Sequence, residues 1–109
     1  MSARSLLIKA MPCIACELKE VSQPSKTEEH HLNLDGKAGQ ARRGDEFSIP
    51  LCVWHHRGDP PNGLTASQAT AIYGPSLPRS SKEFRAKFKT DDELLAMVNE
   101  RLASNMVLE

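Results

Sequence analysis

The chain has 109 residues, one Trp, one Tyr and three Phe, and 14 basic residues balanced by 14 acidic ones. That length allows one small domain with little room for a large core, and the zero net charge gives no compositional sign of a nucleic-acid partner. Three cysteines cannot all pair, and their spacing fits metal ligation better than a disulfide framework.

Residues 1–12 read as a short strand or extended arm. Their apolar run Leu6-Leu7-Ile8, bounded by Arg4 and Lys9, is too short for a signal-peptide core. No stretch approaches transmembrane length. These features predict a cytoplasmic protein with no membrane partner, in a reducing compartment where thiolates stay available for metal.

The first motif is Cys13-Ile14-Ala15-Cys16. A polar loop with Pro24 follows over residues 17–29, and the chain extends as a strand from Glu28 to Leu34. Asp35-Gly36 and Gly39 supply turn chemistry. Phe47-Ser48-Ile49-Pro50-Leu51 alternates apolar and polar residues and reads as the returning strand, with Pro50 marking an edge or the strand's end. Between the strands lies a long hairpin tip with Lys37, Arg42 and Arg43.

The second motif is Cys52-Val53-Trp54-His55, followed at once by His56. A short helix carries Trp54, His55 and His56 until Gly58-Asp59-Pro60-Pro61 stops it. Residues 64–73 are helical and end at Gly74-Pro75. Ser80 with Glu83 forms a capping-box pattern opening a helix through Phe88, and Thr90 with Glu93 opens another. In that last helix Leu94, Leu95, Met97, Val98, Leu102 and Met106 fall near one face.

Zinc takes thiolate and imidazole ligands in tetrahedral geometry, and two-residue spacing lets one turn present two ligands to one ion. Cys13, Cys16, Cys52 and His55 complete both half-sites, with His56 the alternative to His55. Trp54 packs beside them. His30, His31 and one histidine of the second motif are then left over, as a second, chemically active metal centre would require.

Read together, Cys13-x-x-Cys16, His30-His31-Leu32, a loop bearing glycine and arginine, and Ile49-Pro50-Leu51-Cys52-x-x-His55-His56 resemble the His-Asn-His (HNH) nucleases. The Pro-Leu-Cys-x-x-His-His run and the segment from Phe88 to Leu95 are similar to phage recombination enhancement function (Ref) proteins, which are RecA-dependent nucleases. The resemblance covers most of the chain from Cys13 onward. It implies an α+β fold, a zinc-stapled ββα-metal core over residues 13–60 followed by a helical part over 61–109, all in one domain. It implies a metal-dependent DNA endonuclease of phage or prophage origin, assisted by a RecA filament and leaving 5′-phosphate and 3′-hydroxyl ends.

The resemblance also implies roles. His30 binds a catalytic divalent cation, His31 is the general base, and His56 is the second metal ligand. Asp45 is the nearest match to the residue that orients the base, although the family's asparagine is absent. The family's third metal-ligating histidine is absent too, so that position falls to Asp59, to Tyr73 or to water. Hydrated Mg²⁺ or Mn²⁺ would suit so open a site, whereas two imidazoles favour a transition metal such as zinc.

The residue chemistry supports this division. Imidazole can take a proton from attacking water near neutral pH, and consecutive strand residues point to opposite faces. Arg42 and Arg43 are the candidate phosphate contacts, extended by Arg79, Lys82, Arg85 and Lys89; Lys87 shares that basic segment, which Asp91, Asp92 and Glu93 follow. Two rivals stand beside this reading: a non-catalytic zinc module that binds nucleic acid or protein, and a colicin-like nuclease toxin.

Overall fold

The computed structural model describes residues 3–32 and 47–107, the side chains of 105–107 excepted. Two strands and six helices follow in the order α1 (Ala3–Ala10), α2 (Ile14–Lys19), β1 (Thr27–His31), β2 (Ser48–Cys52), α3 (Val53–Arg57), α4 (Ala66–Tyr73), α5 (Ser81–Lys87) and α6 (Asp91–Val107). This is the small α+β architecture expected. The hairpin tip, with Lys37, Arg42, Arg43 and Asp45, lies outside the described residues.

The sheet is one antiparallel pair, with Glu28 opposite Leu51, Glu29 opposite Pro50 and His30 opposite Ile49. A two-stranded sheet consists of edges, so Pro50 costs no central ladder bond. The whole of β2 is buried, because α1, α2, α3 and α6 all pack against it. Side chains on β1 alternate between two environments. Thr27 and Glu29 face the α1 side, where Thr27 Oγ1 donates to the Met11 carbonyl (2.7 Å) and Ser5 Oγ donates to Glu29 Oε2 (2.9 Å). Glu28 and His30 face α3.

The N-terminal segment corrects the expected strand or arm: it is a helix. Ser5 and Ile8, three residues apart, are buried, whereas Leu6 and Leu7 are exposed. Spacing by three places one residue per turn inward, Ser5 and then Ile8, and packing against the sheet stabilises a segment too short to be helical alone. Arg4 fastens it, donating from Nη2 to the Ser48 carbonyl (2.8 Å) and from Nη1 to Asn99 Oδ1 (2.7 Å). The expected loop over 17–29 is shortened as well, since α2 runs on to Lys19 and closes at Glu20 with φ 61°.

Caps divide the remaining helices. Thr65 and Gln68 form a reciprocal capping box on α4, and Thr90 and Glu93 form the expected one on α6. Ser80 does not form the expected box: its φ −150°, ψ 61° backbone leaves the hydroxyl without a capping bond. Thr65, at φ −77° and ψ 162°, has the extended N-cap geometry that lets its oxygen reach the N3 amide.

Trp54 is fully buried, and its Nε1 donates to the Gly74 carbonyl (3.0 Å), tying α3 to the end of α4. Removing that ring leaves a cavity and an unpaired carbonyl. Trp54→Ala should therefore cost about 3–5 kcal/mol in urea-monitored unfolding. A loss below about 1 kcal/mol would show that α4 is not anchored through this ring.

Candidate metal centre and histidine cluster

Cys13, Cys16, Cys52 and His55 converge at the junction of α2, β2 and α3, all buried, with ligand atoms within 4.8 Å of one another. Each element presents its donors through local geometry. Cys13 is the N-cap of α2, so Cys16, one turn on, directs its sulfur to the same point; the Cys16 amide lies 3.5 Å from Cys13 Sγ. Cys52 ends β2 and is the N-cap of α3, which carries His55 three residues on. Gln23 holds the first loop, its Oε1 accepting from the Cys13 amide (2.7 Å), and Ser25 Oγ accepts from the Val53 amide (3.1 Å).

The distances match what one tetrahedral zinc would demand. Bonds of about 2.3 Å to sulfur and 2.0 Å to nitrogen imply about 3.8 Å between sulfurs and about 3.5 Å from sulfur to nitrogen. Cys16 and Cys52 Sγ are 3.8 Å apart, and His55 Nδ1 lies 3.5, 3.6 and 3.3 Å from Cys13, Cys16 and Cys52 Sγ. His55 Nε2 donates to the Tyr73 carbonyl at 2.8 Å, which frees Nδ1 as the metal-facing nitrogen. Tyr73 therefore serves this centre through its backbone.

Charge makes the same point. Hydrogen bonds from Cys13 and Cys16 favour ionised Cys52 despite burial, whereas bonds to Cys13 and Cys52 push the Cys16 thiol up. Burial opposes charge on His55, but hydrogen bonds to the Cys13 and Cys52 sulfurs raise its pKa to about 9. Packed thiols that cannot all ionise are a donor set suited to a dication, which neutralises them together. The residues fit zinc.

His56 takes no part in that cluster. It faces β1, where its ring lies 5.2 Å from that of His30 in an edge-to-face arrangement, and its Nδ1 is 3.0 Å from Glu28 Oε1. Arg57 donates to both oxygens of the same carboxylate (2.9 and 2.5 Å). Burial alone would raise the Glu28 pKa, but the bonds from His56 and Arg57 outweigh it and lower the value below the ordinary range. Burial, then repulsion from His56, lowers the His30 pKa to about 4. That imidazole is neutral at pH 7, as a metal ligand must be.

His31 occupies the other face of β1, its Nε2 3.7 Å from Glu29 Oε2. Thus Glu28 serves the His30 side and Glu29 the His31 side. Both acids escaped the sequence reading, although the run Glu28-Glu29-His30-His31 places each acid two residues before a histidine, which is the same-face spacing of a strand. An open hollow of about 430 Å³ lies beside them, bordered by the cations Lys9, Lys26 and Arg57.

Asp59 is exposed. Among the described residues the one group of three or more potential ligands is the Cys₃His set, so Asp59 does not gather with His30 and His56. Arg79 donates from Nε to the Gly58 carbonyl (2.7 Å), and Arg85 pairs with Asp91 (3.1 Å). Both arginines are thus engaged within the fold, while Lys82 is exposed and Lys89 half-buried. Arg42, Arg43 and Asp45 lie outside the described residues.

Fold and site together define a small α+β domain in which α2, the end of β2 and α3 are brought together by a Cys₃His ligand set. A family model described as "Recombination enhancement, RecA-dependent nuclease" matches residues 2–103. The chain belongs to that family of nucleases. No curated protein and no solved structure matches it. No helix among the described residues is long and apolar enough to cross a membrane.

Proposed function

We propose that the protein is an HNH-type, metal-dependent DNA endonuclease that works with a RecA filament. The observation that carries the reading is the convergence of His30 and His56, with ring centroids 5.2 Å apart, beside a separate and complete Cys₃His set. A purely structural zinc module has no use for that second cluster.

In this reading zinc joins Cys13, Cys16, Cys52 and His55 and holds β2, α2 and α3 in register. His30 and His56 would hold the catalytic cation. Such a cation supplies charge stabilisation at the scissile phosphate and at the leaving 3′-oxygen. His31 takes the proton of the attacking water onto its imidazole, and the Glu29 carboxylate stabilises the imidazolium that results. Lys9, Lys26 and Arg57 border the hollow where phosphates would be held, a sequence-independent and salt-sensitive form of binding. Phage or prophage origin and a cytoplasmic site of action are consistent with a RecA-linked nuclease.

The test is a cleavage assay on single-stranded and supercoiled DNA, with and without RecA, across Mg²⁺, Mn²⁺ and Zn²⁺. Cutting that needs both an added divalent ion and RecA is the expected result. DNA binding with no cutting under any of these conditions would identify a non-catalytic zinc module instead.

A further inference from the structure

Glu28 is an unusual residue to find beneath a histidine pair. It sits on β1 two residues before His30, on the same face, with a side chain only 11% exposed. Among the described residues its carboxylate bonds to two partners, both on α3. Oε1 lies 3.0 Å from His56 Nδ1 and receives Arg57 Nε at 2.9 Å, while Oε2 receives Arg57 Nη2 at 2.5 Å. The two bonds from Arg57 fix the plane of the carboxylate, because a planar guanidinium binds a carboxylate in a fork. The carboxylate in turn fixes the ring of His56.

We infer that Glu28 is a positioning residue for His56: by accepting the Nδ1 proton it sets the tautomer and ring orientation in which Nε2 carries the lone pair for the cation shared with His30. The inference rests on the metal-binding role proposed for His30 and His56 and adds the group that prepares it. Histidine ligands commonly donate their second ring nitrogen to a carboxylate or a carbonyl, which fixes the tautomer and raises ligand basicity. The structural zinc side shows the carbonyl version of this arrangement in the same helix, where His55 Nε2 donates to the Tyr73 carbonyl. Adjacent histidines on α3 therefore present opposite ring nitrogens, Nδ1 from His55 and Nε2 from His56. Each is selected by the partner of the other nitrogen.

Arg57 marks the difference between positioning and plain ion pairing. It is 58% exposed on its side chain, so its removal leaves Glu28 bonded to His56. A merely structural role for the Glu28–Arg57 pair would make Arg57→Ala as harmful as Glu28→Ala.

The experiment uses the full, zinc-loaded chain and Mn²⁺ as the probe, with binding followed by the electron paramagnetic resonance of free Mn²⁺. Glu28→Ala should weaken Mn²⁺ binding by about 10–100-fold while zinc content stays unchanged. Glu28→Gln, which keeps an acceptor oxygen, should recover part of that loss, and Arg57→Ala, which loosens the carboxylate but leaves its bond to His56, should weaken Mn²⁺ binding clearly less than Glu28→Ala does. On a His56→Ala background, adding Glu28→Ala should have no further effect, because its action passes through His56. Long-range ¹⁵N–¹H correlation spectra of the parent should show His56 protonated at Nδ1. An Nε2-protonated His56 in the parent would overturn the inference without any variant. So would additive losses in the double variant, which would make Glu28 an independent ligand. Parent-like Mn²⁺ binding by Glu28→Ala beside a tenfold or greater loss in His56→Ala overturns the role of Glu28 and leaves the metal reading standing. Parent-like binding by His56→Ala itself removes both.

Discussion

Purified protein should carry about one tightly bound zinc per chain, and Cys52→Ser should lose both the metal and the cooperative fold. Cys52 ends β2 and begins α3, so its sulfur joins the sheet to the helix that carries Trp54, His55 and His56. Among the described residues the buried apolar set itself includes Cys13, Cys16 and Cys52. Domains of this size commonly depend on a staple. Structural zinc binding contributes roughly 10–16 kcal/mol in small zinc domains, against a total stability of about 5–15 kcal/mol for most proteins. Loss of one ligand then leaves a folded state that is scarcely populated. The sign with pH follows from the ligands: zinc needs thiolates and a neutral imidazole, so protons compete with it and the stability it contributes is lost as pH falls. Elemental analysis and thermal unfolding of parent and variant decide the matter. A zinc-free Cys52→Ser chain that still melts cooperatively at the parent temperature would show that the apolar core suffices.

The ligand set was legible because its information is local. Two residues between ligands is what one helical turn or a strand–helix corner needs, so Cys13, Cys16, Cys52 and His55 announce themselves without tertiary knowledge. The two strands were legible for a similar reason, since alternation survives in Phe47–Leu51. The N-terminal helix was not, because three adjacent apolar residues fit a buried strand as well as a helix, and only the packing of Ile8 against the sheet decides. The caps show the limit of pattern matching. Ser80-x-x-Glu83 and Thr65-x-x-Gln68 look alike, yet only Thr65 has the extended backbone that aims its oxygen at the helix. In the site, spacing separated His30 from His31, but the acids beneath them emerged only with the β1 register. Asp59, placed by its nearness in sequence to His56, ends exposed on the loop after α3, since Gly58 at φ 76° closes the helix before it.

His31→Ala should lower DNA cleavage by about 10²–10⁴-fold, equivalent to roughly 3–5 kcal/mol at the transition state, while zinc content and melting stay close to those of the parent. Stability should be spared because the His31 side chain is 22% exposed at the end of β1, and truncating it opens no core cavity. The rate should suffer because, in the proposed mechanism, the ring nitrogens of His30 and His56 are taken up by the cation and cannot also accept the proton of the attacking water. Glu29 sharpens the test. Its Oε2 is 3.7 Å from His31 Nε2 and also accepts from Ser5 Oγ, which anchors the acid to α1. Glu29→Gln keeps the shape and removes the charge that stabilises the imidazolium, so its loss of rate should be smaller than that of His31→Ala. Adding Glu29→Gln to His31→Ala should then change nothing further. His30→Ala should differ in kind: its defect should shrink as the divalent ion is raised, whereas that of His31→Ala should not. Single-turnover nicking at several Mn²⁺ concentrations separates the two. Parent-like nicking by His31→Ala would remove the general-base assignment, and a His31→Ala defect cured by added metal would make His31 a ligand instead.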